Sequence, residues 1–351
     1  MSATQEPQSP FRNDILKDRV VLISGGATGI GFGCAVCFGM HGAKVAIMSR
    51  RQGKIDNAVR SLRSKGIDAF GTTVDVRDYK RCVESVKRVA IHFGKIDFLV
   101  RTHSTKTQNL TRNCLFKYYS HTFMTQINNA AGNFMVSSEM LSPNGLATVL
   151  GIDLQGSFHM SKACLPYLKE TGSRSNGDAV IVNITATLQD HATPFQLHAA
   201  SAKAGIDVLT NTLGTEWAEY GIRAIGIAPG GISGTVGGPD GRVFGKGKLR
   251  ILYARSSCNG VYKTRILKKN SGTSREVGPL RIRRDGIPAG RWGRVDDVAL
   301  AAVFFCSSGA PWITATRLVV DGGSVHRVRN FVEFKRAIQK KSNAEKARSK
   351  L

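Results

Sequence analysis

Short apolar runs alternate with helical patterns along most of the chain. "RVVLISGG" (19–26) predicts a strand, and the segment around 30–41 a helix. "AKVAIMSR" (43–50), "DAFGTTVDV" (68–76) and "IDFLV" (96–100) predict further strands. Between them, "KIDNAVRSLRSKG" (54–66) and "YKRCVESVKRVAIHFG" (79–94) carry apolar positions at helical spacing. The second half continues with strands "AVIVNITA" (179–186), "RAIGIAPG" (223–230) and "TRLVVDGG" (316–323). Helical stretches near 155–169, 197–220 and 295–308 separate them. Strands that are apolar throughout, alternating with helices, predict an α/β protein: a parallel sheet, doubly wound, in a single domain over residues 15–325.

Two stretches break this rhythm. Residues 101–127 separate "IDFLV" from "NNAAG", and residues from about 245 to 276 interrupt the second half. Both are rich in Lys and Arg, nearly free of acids, and without a clean period. Loops of this length are uncommon inside compact domains. They read as two long basic insertions, either disordered (translated intron sequence included) or in contact with nucleic acid. Charge sharpens the question: 50 Lys and Arg against 25 Asp and Glu give a formal net charge of +25 over 351 residues. Such a balance favours polyanionic partners, from nucleic acid to phosphorylated small molecules. Aromatic interleaving is sparse and no nucleic-acid-binding motif is present, so a nucleic-acid partner is not expected.

Residues 1–14 are polar and read as a flexible N-terminus without a secretory h-region. No apolar run is long enough for a membrane span. The seven cysteines are scattered and read as reduced. Cys34 and Cys37 form C-x-x-C inside the apolar "GFGCAVCFGM", without a second pair at ligand spacing. They are expected to be buried core residues, and no metal site is predicted.

The chemistry concentrates in a few places. "SGGATGIGFG" follows the first strand and opens the first helix. Gly25 permits the tight turn, Gly29 a close approach of backbone to a pyrophosphate, and Gly31 close helix–strand packing. Ala27, Thr28 and Ile30 complete the turn, and the helix N-terminus offers N–H groups to phosphate. This context makes the expected fold Rossmann-type. The second strand ends at "SRR": Ser49, Arg50, Arg51. An NAD site favours a carboxylate there; guanidinium groups instead suit a 2′-phosphate, so the cofactor is expected to be NADP(H). Asp75 and Val76, ending the third strand, are placed to meet the adenine.

These motifs, with "NNAAG" (128–132), Lys203, "APGGISGT" (228–235) and "VVDGG" (319–323), stand in the order of the short-chain dehydrogenase/reductase family, which the chain resembles. The resemblance covers roughly residues 15–325, less the two insertions. It implies that Asn129 supports the sheet beside the cofactor and that Lys203 binds the nicotinamide ribose. It also implies that Pro229, Gly230, Ile232, Ser233 and Thr235 wrap the nicotinamide and phosphates.

One departure is decisive. Where the family usually shows Tyr-x-x-x-Lys, this chain has "HAASAKAG", with Ala199 four positions before Lys203. Alanine cannot protonate an alkoxide, as the tyrosine of carbonyl-reducing members does. A conjugated thioester does not need it. Hydride addition to a 2,4-dienoyl-CoA leaves a dienolate spread onto the thioester oxygen, which needs hydrogen-bond donors more than a strong acid. "NITATLQDHATPFQLHAASAKAGIDVLT" and "GIDLQGSF" resemble the family branch that performs this reduction in peroxisomes without the tyrosine. The expected product is 3-enoyl-CoA. Asp153, where many relatives carry asparagine, is the candidate proton donor; its other readings are a helix cap or a partner of Lys203. Thr185 and Thr187 are candidate substrate contacts or strand packing. His191 and His198 are candidate acids, though a lone histidine beside apolar residues reads first as structural. By the resemblance, Arg50, Arg77, Phe134 and the turn of Ser142, Pro143 and Asn144 line the acyl-CoA side. The alternatives are another peroxisomal short-chain reductase, acting on trans-2-enoyl-CoA or 3-ketoacyl-CoA, and a catalytically silent dinucleotide-binding protein.

Residues 326–351 form a basic C-terminal tail that ends Ser349-Lys350-Leu351, the tripeptide read by the peroxisomal import receptor. The expected location is the peroxisome, and the resemblance implies a homo-oligomer, a tetramer.

Overall fold

The structure, a computed structural model, describes residues 9–102, 134, 136–174, 179–190, 193, 195–235 and 287–326. Seven parallel strands form its sheet: β1 (Val20–Ser24), β2 (Lys44–Ser49), β3 (Ala69–Thr73), β4 (Phe98–Arg101), β5 (Ala179–Ile184), β6 (Ile222–Pro229) and β7 (Thr316–Val320). Their order is β3-β2-β1-β4-β5-β6-β7. The order reverses between β1 and β4, and in such sheets ligands bind beyond the C-terminal strand ends at that switch point. The helices are α1 (Gly29–Met40), α2 (Gln52–Arg63), α3 (Tyr79–Phe93), α4 (Pro143–Leu150), α5 (Gly156–Arg174), α6 (Leu197–Glu216) and α7 (Val295–Cys306).

Alternation along β1 explains the two layers. Val21 and Ile23 face a core shared with α1, α2 and α7; Leu22 faces another shared with α3, α5 and α6. A strand covered on both faces must be apolar at every position, as β1 is. Phe38 of α1 meets Phe98 of β4 edge to face at 6.4 Å between ring centroids. Burying such a ring contributes about 2–3 kcal/mol. Cys34 and Cys37 lie in this core, as their apolar surroundings predict. The edge strand β7 is only partly covered, with Leu318 exposed.

The structure departs from the sequence reading in three places. Residues 9–14, expected to be flexible, are held: Ser9 Oγ lies 2.7 Å from His41 Nε2, and Phe11 meets the His41 ring edge-on. Residues 101 and 102, assigned to the first insertion, belong to the fold. Arg101 is the last residue of β4 and pairs with Ser24 and Asn183 in the ladders on either side. The Ser142–Asn144 segment, expected as a turn, is a helix start: Ser142 Oγ accepts from the Gly145 N–H at 3.0 Å and Pro143 takes the first turn of α4. An eight-residue helix with few polar residues on one face gave a weak period, so α4 escaped notice. The rest of residues 101–127, the stretch from about 245 to 276, residues 1–8 and the C-terminal tail beyond His326 lie outside the described residues.

Candidate active site

The Gly-rich turn sits at the C-terminal end of β1. Gly25 has φ +77°, a conformation side chains rarely adopt, and its N–H donates to Met48 O at 2.8 Å. A Cβ on Gly31 would lie 2.3 Å from Thr102 Oγ1 and 2.4 Å from Gly25 O, so only glycine lets α1 start this close to the turn. In front of Gly29 there is room: an added Cβ would meet nothing nearer than Thr235 Cγ2, at 4.0 Å. Thr28, the N-cap, makes no side-chain cap hydrogen bond, which leaves the first-turn N–H groups unclaimed by it. Ala27 is buried and Ile30 half-buried against the core. Ser49 ends β2, and Arg50 and Arg51 beyond it are exposed, Arg51 as the N-cap of α2. This cradle and the two cations fit a dinucleotide bearing a 2′-phosphate.

Asp75 and Arg77 pair with each other. Arg77 donates to the Asp75 carboxylate through Nη2 at 2.6 Å and Nε at 3.0 Å. The pairing holds the Asp75 carboxyl below its ordinary value and the guanidinium above its own. Val76 is buried, with its Cγ2 against Gly156 at the start of α5. On the opposite side, Pro229 ends β6 and the Gly230 N–H donates to Val320 O at 3.0 Å. Ile232 bridges Gly293, the Ser233 N–H donates to Gly293 O at 2.8 Å, and Thr235 Oγ1 donates to Ile232 O at 2.8 Å. The segment 229–235 thus leaves the sheet beside the Gly-rich turn in a fixed path.

Between α4 and α5 the backbone widens into one π turn, Gly151–Gln155, where the Gly156 N–H reaches back to Gly151 O. Asp153 lies in this turn and is 2 % exposed. Single π turns within α-helices are frequent at functional sites. Leu154 packs into Gly205 of α6, which lets the two helices approach. Lys203 Nζ lies 3.6 Å from Asp153 Oδ2 and donates to Ile184 O at 3.3 Å. Sequence reasoning offered proton donor, cap and Lys203 partner for Asp153; the structure brings it to Lys203. Ala199 is buried one helical turn earlier, where its methyl offers no hydrogen bond. Thr185 follows β5, its N–H donating to Ile227 O at 2.7 Å.

One residue of the site, Arg101, was missed as such, and His198 was weighed as an acid but read first as structural. Arg101 at the end of β4 is 1 % exposed and donates to Asn183 Oδ1 at 3.3 Å and Ser157 Oγ at 2.5 Å. Burial lowers its guanidinium to about 9, against the pull of the Asp153 carboxylate. Ser157 Oγ in turn donates to the Asp153 carbonyl. His198, beside Ala199, is fully buried; the Phe134 ring stacks on it at 4.2 Å and the Phe134 N–H donates to its Nε2 at 3.5 Å. Ser142 and Asn144 begin α4, whose Gly145 lies against the Phe134 ring. The signal for His198 was its place one residue before the missing tyrosine. Asn129 and His191 lie outside the described residues. Among the described residues no cluster of His, Cys, Asp and Glu could hold a metal, and no helix is long and apolar enough to cross a membrane.

Comparisons with known proteins agree with this geometry. The family described as "short chain dehydrogenase" matches residues 19–115 and 102–239, and "Enoyl-(Acyl carrier protein) reductase" matches 257–325. The chain is 36 % identical over 346 residues to the peroxisomal 2,4-dienoyl-CoA reductase [(3E)-enoyl-CoA-producing] of Arabidopsis thaliana, covering 96 % of each chain. It is 32 % identical over 326 residues to the protein of the same description from Saccharomyces cerevisiae, covering 91 % of this chain and 88 % of that one. Among solved structures, a short chain dehydrogenase from Bacillus anthracis superposes with a TM-score of 0.65 at 28 % identity, covering 88 % of this chain and 97 % of the other.

Proposed function

The chain belongs to the short-chain dehydrogenase family, and from that premise we propose that it is a peroxisomal, NADPH-dependent reductase of 2,4-dienoyl-CoA that forms 3-enoyl-CoA. The observation that carries this reading is the buried Asp153–Lys203 pair beside Ala199: the family lysine is kept, alanine stands for the phenol and aspartate for the asparagine of many relatives. Relatives named for the same reaction, in a plant and a yeast, support it.

The cofactor would be held by the Gly-rich turn and the N-terminus of α1, with Arg50 and Arg51 at the 2′-phosphate. Asp75 and Val76 would meet the adenine, Lys203 the nicotinamide ribose, and residues 229–235 the nicotinamide side. When bound, NADPH supplies a hydride. Hydride addition at C5 of the dienoyl chain leaves a dienolate whose charge rests on the thioester oxygen, and a proton delivered to C2 gives the 3-enoyl product. Lys203 stabilises charge at this end of the site, and Asp153, in the protonated form that the reaction requires, gives its proton to C2 and takes up another from solvent. No phenol is needed, because the arriving pair becomes the C5–H bond and the π electrons it displaces spread over C4, C2 and the thioester oxygen rather than resting on a single alkoxide. Arg50, Arg77, Phe134, Ser142, Asn144 and Thr185 are assigned to the acyl-CoA side. There the exposed guanidinium groups suit the phosphates of CoA. Ser349-Lys350-Leu351 would carry the protein to the peroxisome through the import receptor, and the assembly is a homotetramer.

The test is NADPH consumption by purified protein on dienoyl-, 2-enoyl- and 3-ketoacyl-CoA, with product analysis. Turnover of the dienoyl substrate to a 3-enoyl product supports the reading. Activity on ketoacyl-CoA alone, or tight NADPH binding without turnover of any thioester, overturns it.

A further inference from the structure

Between β5 and α6 the chain follows neither helix nor strand over residues 186–190. Residues assigned to the acyl side stand at both ends of this connection. Thr185 is at its start. Towards its end, Phe195 O accepts from the Val136 N–H at 3.0 Å, close in the chain to Phe134, whose ring lies on His198. Binding residues on such a connection are only as well placed as the scaffold that holds it.

One side chain of the sheet holds it. Arg317 of β7 donates through Nη2 to Asp190 Oδ1 at 2.5 Å and through Nη1 to Ala186 O at 3.4 Å. The same Nη1 lies 3.3 Å from Asp207 Oδ2 of α6, and Gln189 Nε2 donates to that oxygen at 2.5 Å. A strand, a helix and both ends of the 186–190 segment thus meet at one guanidinium. Gly226, beside Arg317 in the ladder, leaves the room for it: a Cβ there would lie 3.2 Å from the arginine Cγ. Asp207 follows Lys203 by four residues, on the same face of α6. Lys203 itself donates to Ile184 O, so α6 holds the exit of β5 twice, at Ile184 and at Gln189. A lone surface ion pair does little. Two carboxylates and a carbonyl on one planar fork instead fix the orientation of what they belong to. The side chains of Arg317 and Asp190 are 24 % and 19 % exposed, sheltered enough for that orientation to hold.

Resting on the reductase reading above, we infer that Arg317 is a positioning residue for the acyl chain of the substrate. Held by Asp207, it pins residues 186–190 through Asp190 and Ala186 O, and so sets the wall of the acyl site that runs from Thr185 to Phe134. It acts through this segment and not on the reacting atoms. Lys203 keeps its own bond to Ile184 O when Arg317 is gone, so the cofactor side stays in place. The loss falls on binding of the acyl-CoA and not on the chemical step.

The experiment combines steady-state kinetics with amide hydrogen exchange. Arg317→Ala is expected to raise KM for a 2,4-dienoyl-CoA at least tenfold, with kcat within threefold and KM for NADPH within twofold. Arg317→Lys, whose point charge serves one carboxylate but not three groups at once, restores part of the loss. Asp190→Asn leaves Arg317 its bonds to Asp207 and Ala186 O, which keeps the fold, and is expected to raise the same KM at least threefold. Combining Asp190→Asn with Arg317→Ala adds nothing to Arg317→Ala alone, because the two side chains make one contact. With NADPH bound, the amides of residues 186–190 exchange at least tenfold faster in Arg317→Ala, while those of β5 keep the parental rate. An unchanged KM for dienoyl-CoA in both single variants, additive effects in the double variant, a matching rise in KM for NADPH, or unchanged exchange of residues 186–190 each overturns the inference and leaves the reductase reading intact. A parent protein inactive on dienoyl-CoA, with faster exchange of residues 186–190 in Arg317→Ala, overturns the reductase reading and supports the clamp.

Discussion

Replacing Arg101 with methionine is expected to stabilise the fold. A guanidinium that is 1 % exposed at the end of a central strand has lost its water, and burial brings it down to about 9. That drop from the ordinary arginine range corresponds to roughly 5 kcal/mol of burial cost at neutral pH. Methionine keeps the length and the apolar stem and removes that cost. Against it stands the loss of its hydrogen bonds, those to Asn183 and Ser157 among them. Ser157 Oγ keeps its bond to the Asp153 carbonyl, whereas Asn183 Oδ1 loses its arginine donor, which costs about 1–3 kcal/mol. The balance favours the variant by about 2 kcal/mol, in line with other buried charges replaced by apolar residues. Thermal unfolding at pH 7 reads this as a rise in Tm of roughly 3 °C for a chain of 351 residues. The pH dependence gives a second check. Arginine is a base whose folded value is depressed, so its penalty is complete below about 9 and falls away as pH rises through that value. The gap between variant and parent therefore narrows from pH 8 to pH 10. A methionine variant less stable than the parent at pH 7, or a gap that stays constant with pH, refutes the reasoning.

Lys203→Met leaves Asp153 without its nearest cation and is expected to cost about 2–4 kcal/mol in urea unfolding, together with dienoyl-CoA turnover. The double change Arg50→Ser with Arg51→Ser raises KM for NADPH at least tenfold and leaves KM for NADH within threefold, read by steady-state kinetics with both cofactors. Burial pushes Cys82 and Cys37 up to about 12, and Cys34, Cys164 and Cys306 are raised as well. All five are expected to react with a disulfide reagent only after denaturation, in a timed thiol titration.

The sheet was legible because its strands are buried on both faces and so read as continuous apolar runs, as in β1, β5 and β6. The Gly-rich turn was legible because turn, phosphate cradle and helix packing each demand glycine at a fixed place. Lys203 and Asp153 were found through the resemblance, and their contact needed the fold, since fifty residues separate them in the chain. Arg101 was not legible in its role. A basic residue opening a basic stretch reads as insertion, and only the register of β4 beside β1 and β5 shows it in the core. The α4 helix was hidden because its eight residues carry a weak period of their own, and the π turn at its boundary keeps that period from running on into α5.

That π turn yields the last prediction. A π turn holds one residue more than the α-helical turn it replaces, so deleting Gln155, which is exposed, lets α4 and α5 join as a regular helix. Helix α5 cannot be the part that moves, because Met160, Cys164 and Leu168 anchor it in the core and Gly156 is in contact with Val76. Helix α4 and Asp153 must then turn by roughly 100° and advance by about 1.5 Å, the step of one helical residue. Asp153 leaves Lys203, and the proton loses its path. Turnover of dienoyl-CoA is expected to fall at least a hundredfold while NADPH affinity and the far-UV circular dichroism stay close to those of the parent. The substitution Gln155→Ala, which keeps the extra residue, is expected to retain most of the activity, because the register and not the side chain holds the carboxylate in place. A deletion variant that turns over dienoyl-CoA at the parental rate shows that Asp153 need not face Lys203, and the proposed chemistry falls with it.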